Sequence, residues 1–554
     1  MEPRILLTTY IFLPNGNGDP QSWRNGNNWV DEDTGRYGNF PNFDDDAVVP
    51  GGNVVKVDTG YEVRAAVLTL QAGSNLIVPA TSLLRLDYGT LEGRVTDQGE
   101  IYADDAEGEV DFSGSTVIGP NPGFDTNLDG PGKFVFLPPA SGTEQFAAGA
   151  TIGWPGDANG PTVDIGTPTQ AGQVRLAGLL GVYAGQVVLN GILSDPQDTN
   201  GSLDNFAGFT WQSGRLALTN GFTNESGASF LAEPSPNNPV TALTLQTNLA
   251  NQSSMQFIGP YDLEIDNGGL LANVNGGAVT MVGITAQDNL GTGHGIFNAA
   301  SAYMDCVPNS AGVGCIITCP FTSQGIIEAD YDPEGSPTLV LNGPNMELDG
   351  YLNLAGTVDI KGTVTSYLGF TNQGGLGGQL VIESFLNLRD SGITNYGAID
   401  VIGEGVIQGF GGDTLDEFTN LGVLGLLGDG QVRTLNFFTQ RTVGMLFVDV
   451  HNGNQGADGI YQVANVLLDG DCFFINGPAP SPGNRVFQVV GGAGTINGEF
   501  YGLPYNTVET NTDTNVYITA LGTASVTGTS GSGALARGAA PPGGLYVSTG
   551  SLTL

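Results

Sequence analysis

Phe370-Thr371-Asn372-Gln373-Gly374, Ile393-Thr394-Asn395-Tyr396-Gly397 and Phe418-Thr419-Asn420-Leu421-Gly422 repeat one short phrase within residues 370–424. Their asparagines stand 23 and 25 residues apart. An earlier copy, Phe222-Thr223-Asn224-Glu225-Ser226-Gly227, lies upstream. Each copy sets an apolar residue and a Thr before an Asn, with Gly shortly after. The apolar and Thr positions suit strands, while Asn and Gly suit the positive-φ backbone of a sharp turn. A turn recurring once in every 20 to 50 residues (roughly) marks stacked coils, none of which buries its own core. The expected fold is therefore all-β: an elongated parallel β-solenoid (a right-handed β-helix) with an N-terminal cap and a flexible C-terminal strand.

Composition supports this. Apolar residues make up 40% of the chain and charged residues 13%, with 87 Gly. Short apolar or alternating runs bounded by Gly, Asn, Asp and Pro recur throughout, and no amphipathic helical period stands out. The 56 acidic residues against 16 basic give a net charge of −40. That excludes the electrostatic footprint of a nucleic-acid or anionic-lipid binder. No apolar run reaches the roughly 18–20 residues that span a bilayer, so no membrane insertion is expected.

Four segments follow. Residues 1–60 hold an N-terminal strand and a cap containing Trp23 and Trp29, two large side chains placed to plug the first coil. Residues 61–444 carry the solenoid, with loop insertions near 100–210 and 298–337. Residues 445–525 supply the terminal rungs. Residues 526–554 form a Gly/Ser/Ala/Pro-rich linker and a last strand.

Ser22-Trp23, Asn28-Trp29 and Asp45-Asp46-Ala47-Val48-Val49 open a series of V-x-V, x-L-x-L and L-x-V steps over roughly residues 8–90. Near the other end, Gly459-Ile460-Tyr461-Gln462-Val463, Val466-Leu467-Leu468-Asp469-Gly470 and Arg485-Val486-Phe487-Gln488-Val489 follow in order, with Gly498-Glu499-Phe500 closing the series. Both ends resemble secreted bacterial surface proteins of the adhesin-like and autotransporter-passenger-like β-solenoid group. The resemblance implies an extracellular or cell-surface location. The barrel, sorting helix or basic tail that anchors such proteins does not follow these rungs here.

Few residues suggest chemistry. Asp125-Thr126-Asn127-Leu128-Asp129-Gly130 has the D-x-N-x-D-G spacing of a calcium loop, with Asp125, Asn127 and Asp129 as oxygen ligands. Phe136 stands where such a loop needs a bidentate Glu, so at most a partial, structural calcium site is expected. Cys306, Cys315 and Cys319 cluster in one segment, Cys472 stands apart, and His294 and His451 are the only histidines. Zinc is therefore improbable. A disulfide within Cys306–Cys319 is expected in an oxidising compartment, its pairing open, with buried free thiols as the alternative.

Enzyme activity is not expected. The acidic turns Asp330/Asp332/Glu334 and Asp413/Asp416/Glu417 have the character of solvated loops, although a polysaccharide-degrading β-helix remains a third reading. A glycan-binding adhesin, with Trp154 and Trp211 as candidate contacts, is the second. The first is a structural fibre or sheath subunit that self-assembles into a homopolymer through strands at its termini. Ile5, Leu7 and Ile11 offer one such strand, and Leu545, Tyr546 and Val547 the other.

Overall fold

In Phe370-Thr371-Asn372 the side chains run buried, half-buried, buried, the period of two that a strand imposes. A computed structural model describes residues 8–120, 126–137, 143–157, 159–195, 200–236, 240–331, 336–373, 378–410, 415–449, 459–475, 485–503 and 507–520. Among them the three repeated phrases lie directly over one another. Phe370–Asn372 pairs in parallel with Gly392–Asn395, and that strand with Glu417–Asn420, so that like residues stack on like.

The same arrangement extends along the chain as a parallel β-solenoid of about 17 turns. Each coil contributes one strand to each of three sheets. The first sheet begins with Asp46–Val49, which pairs with the second half of Glu62–Leu70. The second begins with Val54–Lys56 on Asn75–Val78. The third begins with the first half of Glu62–Leu70, which lies on Leu83–Leu91. No α-helix occurs among the described residues; a single 3-10 turn spans Gly26–Asn28.

Two compact units divide the chain. The first comprises Met1–Val279 with Gln287–Gly295, the second Thr280–Ala286 with Ile296–Leu554. Each fills its interior with the inward half of the alternation. In the first unit Phe112 stacks on Phe136 at 4.7 Å between ring centroids, and Phe209 on Phe230 at 5.4 Å. In the second unit Phe418 stacks on Phe438 at 5.8 Å. Burying these inward-facing apolar side chains, aliphatic in most coils and aromatic in some, is the main stabilising term.

At the N-terminal end Trp23 and Trp29 are both fully buried with ring centroids 4.9 Å apart, and Phe12 packs edge-on against Trp29. Trp29 Nε1 donates to the Trp23 carbonyl oxygen at 2.6 Å. The strand Thr9–Phe12, which contains Ile11, already has both edges filled. It runs antiparallel to Trp29–Asp31 and parallel to Asp46–Val49. Late in the second unit Arg485–Gly491 turns from parallel to antiparallel pairing with Val516–Ala520, which pairs in turn with Thr507–Asn511. Ile5, Leu7, Leu545, Tyr546 and Val547 lie outside the described residues.

One expectation is corrected. The asparagines of the repeated phrase are not positive-φ turn residues: Asn224, Asn372, Asn395 and Asn420 all end strands, and none has positive φ. Gly227 does adopt φ +90. Gly422 keeps negative φ and is needed for closeness instead, since a Cβ there would lie 2.1 Å from the Gly397 carbonyl oxygen.

Candidate functional site

The asparagines point inward and bond to one another. In the second unit Asn372 Nδ2 donates to Asn395 Oδ1 at 2.8 Å, Asn395 to Asn420 at 2.8 Å, and Asn420 to Gln440 Oε1 at 3.0 Å. Each amide also donates to a backbone carbonyl in the coil beyond it: Ala398, Val423 and Met445 respectively. All four side chains are fully buried. In the first unit Asn205, Asn224, Asn251 and Asn273 form a like ladder with links of 2.8–2.9 Å. The partners there are 19 to 27 residues apart, so the ladder tolerates loops of different lengths between its rungs. A buried amide is costly unless both its ends are bonded, and stacking satisfies both while fixing the register of each coil on the next.

Leucines bound the second ladder. Leu352 precedes Asn372 in the column, and Leu468 follows Gln440. Accordingly Asn372 Oδ1 and Gln440 Nε2, the two ends, have no hydrogen-bond partner. Nothing in either ladder is exposed to a ligand. Its work is structural.

The third sheet in the first unit carries a file of charged and aromatic side chains. Arg64, Arg85, Tyr102 and Asp129 occupy one column of successive coils. Arg85 Nε lies 3.0 Å from Glu62 Oε1, Nη1 lies 2.7 Å from Asp104 Oδ1, and the guanidinium covers the Tyr102 ring at 4.3 Å. Burial pushes the Glu100 carboxyl up to about 7, with Asp129 adding to the effect and Arg85 opposing it. Burial also raises Asp129, against the backbone N–H groups of Gly130 and Trp154 that favour its charged form. Both carboxyls are nearly sealed, at 8% and 7% exposed, so an incoming molecule meets Tyr102, Arg85 and Trp154 instead. Trp154 is 45% exposed, in the turn after Ala150–Ile152.

Other residues singled out in the sequence fall elsewhere. Trp211 is fully buried in the first sheet, on the same strand face as Phe209, which rules it out as a glycan contact. Asn127 has its amide bonded within the solenoid, donating to the Gly99 carbonyl oxygen at 3.0 Å and accepting from Thr151 N–H at 3.1 Å. Asp129 sits in the short strand Leu128–Asp129. Asp125 lies outside the described residues. Among the described residues no group of three or more His, Cys, Asp or Glu side chains is placed to hold a metal ion. Asp332, Glu334 and Asp413 also lie outside the described residues. Asp416 is buried, with Oδ2 accepting from Phe410 N–H at 2.8 Å. Cys306, Cys315, Cys319 and Cys472 are all buried thiols.

One buried carboxyl carries no sequence signal of function. Glu144 is 1% exposed, and neither oxygen has a hydrogen-bond partner. Burial alone drives it up to about 9. Its neighbours in the column are Thr116, also buried with its hydroxyl unpartnered, and Val174. No helix among the described residues is long and apolar enough to cross a membrane. The chain matches no known protein family, no curated protein and no solved structure, so what places it is the fold itself, a parallel β-solenoid.

Proposed function

We propose that the protein is an extracellular or cell-surface structural component, a fibre or sheath subunit built on its β-solenoid. The observation that supports this best is the pair of amide ladders, which commit buried polar groups to stacking coil on coil. The resemblance of both chain ends to adhesin-like surface solenoids points the same way. Self-association would add a strand of one copy to the edge of another, gaining backbone hydrogen bonds and side-chain pockets. The strand holding Ile11 is already paired on both edges, so the link falls to residues 526–554, with Leu545, Tyr546 and Val547 as the strand that docks.

A charge of −40 per copy opposes association, so it should require salt or a divalent cation such as calcium. Electron micrographs of the purified chain should show polymers at raised salt or with calcium, and single particles for a chain lacking 526–554. A truncated chain that polymerises like the full one removes the link. Absence of polymers under every condition removes the fibre reading.

A second reading, glycan binding, is favoured by the exposed Trp154 beside Asp129. An indole face stacks on the apolar face of a sugar ring, and Tyr102 and Arg85 extend that surface. Three carboxylates, Glu62, Asp104 and Asp157, whose N–H donates to the Trp154 carbonyl oxygen, stand against the two guanidiniums of Arg64 and Arg85, which favours neutral or cationic saccharides over uronic acids. On a glycan array, Trp154→Ala should weaken any binding several-fold. Undiminished binding by that variant would sink this reading.

A further inference from the structure

We propose that Cys306 and Cys315 are a disulfide site, and that the other two cysteines take no part in it. Cys306 lies near the end of the strand Tyr303–Val307, and Cys315 begins the strand Cys315–Ile317. The segment between them is folded back on itself. Asn309 N–H donates to the Val313 carbonyl oxygen at 2.9 Å, and Asn309 Oδ1 accepts from the backbone of Ala311 and Val313. That closed loop brings its two flanks together. Cys315 Sγ lies 3.9 Å from the carbonyl oxygen of Val307, the residue next to Cys306, and donates to the Met281 carbonyl oxygen at 3.2 Å. The two side chains lie within reach of each other's influence, and both are fully buried.

Geometry excludes the alternatives. A disulfide needs Cα atoms about 4.4–6.8 Å apart. The extended strand Cys315–Ile317 alone spans about 7 Å, and Thr318 lies beyond it before Cys319 is reached. Along the chain Cys306 precedes the loop that closes onto Cys315, whereas Cys319 lies past the other end of that strand. Cys472 shares the column of Cys315 in the second sheet but stands several coils along it, through Leu339, Val358, Leu380, Ile399, Leu424 and Leu446.

The chemistry is thiol–disulfide exchange with a small-molecule disulfide or a disulfide-bearing oxidase. One cysteine thiolate attacks the oxidant's S–S bond and releases one of its thiols, leaving a mixed disulfide. The second cysteine thiolate displaces the oxidant's other sulfur, also as a thiol. Two protons leave the protein, and two electrons reduce the oxidant. Because neither thiol is exposed, exchange must happen while the coil is still forming, and the finished bond is shielded from reductant.

Refolding the full chain from denaturant in oxidised and reduced glutathione tests this without reference to where the protein resides. Intact mass should fall by two hydrogens relative to refolding in dithiothreitol. Non-reducing peptide mapping should join the peptides of Cys306 and Cys315. Cys319→Ser and Cys472→Ser should keep the link, and Cys306→Ser should lose it. A wild-type chain that keeps four alkylatable thiols after oxidative refolding overturns the proposal, and so does a map that joins Cys319 or Cys472.

Discussion

Stability should fall as pH rises from about 4.5 to about 9, the reverse of the usual trend for a protein rich in carboxylates. Glu144 is the main cause. Its folded pKa of about 9 lies far above the ordinary glutamate value of 4.5, because no partner compensates its burial. A carboxyl raised in this way favours the folded state fully below its unfolded pKa. The advantage is lost at about 1.4 kcal/mol per pH unit as pH climbs through the interval, several kcal/mol in all. Glu100 and Glu347, each raised to about 7 chiefly by burial, act in the same direction over the lower part of the range. Urea midpoints across this range should therefore decline.

Glu144→Val isolates the main term, since Val95 and Val174 already occupy the column around Thr116 and Glu144. The variant should gain most at pH 8, change little at pH 4.5, and flatten the profile. A wild-type profile that rises with pH, or a variant whose profile is as steep as the wild type's, would contradict the assignment.

Breaking the second ladder in its middle should cost more than abolishing it. Asn395→Leu removes the acceptor of one Asn372 Nδ2 hydrogen, the other staying on the Ala398 carbonyl oxygen, and leaves Asn420 Oδ1 buried without its donor, at about 1–3 kcal/mol for each lost bond. Replacing Asn372, Asn395, Asn420 and Gln440 together by Leu leaves no side-chain amide unpaired and takes only one donor each from the Ala398, Val423 and Met445 carbonyl oxygens, and leucine already fills the column at Leu352 and Leu468. The quadruple variant should thus lose less than the sum of its singles. Coils of a solenoid can open locally, so hydrogen exchange of the amides in residues 370–440 is the suitable measurement. Additive losses across the four sites would show that the amides do not act as one unit.

These results bear on what a sequence reveals. Period and sheet pairing were legible because Phe370, Ile393 and Phe418 recur with the same neighbours, and pairing in a solenoid joins like to like. The direction of the asparagine side chain was not, because Asn is equally at home in a turn and in a buried, fully bonded stack. Strand parity carries more than the period alone. Trp211 lies two residues from Phe209 and Glu144 two from Phe146, so each shares an inward face with its neighbour. Which cysteines meet depends on how the loop at Asn309 closes, and spacing alone does not carry that. The charged column of Arg64, Arg85, Tyr102 and Asp129 was hidden too. Its members are 17 to 27 residues apart along the chain, and only the register aligns them.

A column of identical amides also acts as a ruler. With Asn372, Asn395 and Asn420 in one file, excising Gln373–Asn395 would set Asn372 against Asn420 with every strand still facing the right way. Losing a single residue within a strand would instead turn its apolar side chains out to water. A gene encoding such a chain can lengthen or shorten by whole coils while each remaining rung finds the same partner. Size can therefore drift in steps of one repeat, with the asparagine file marking where each step begins and ends.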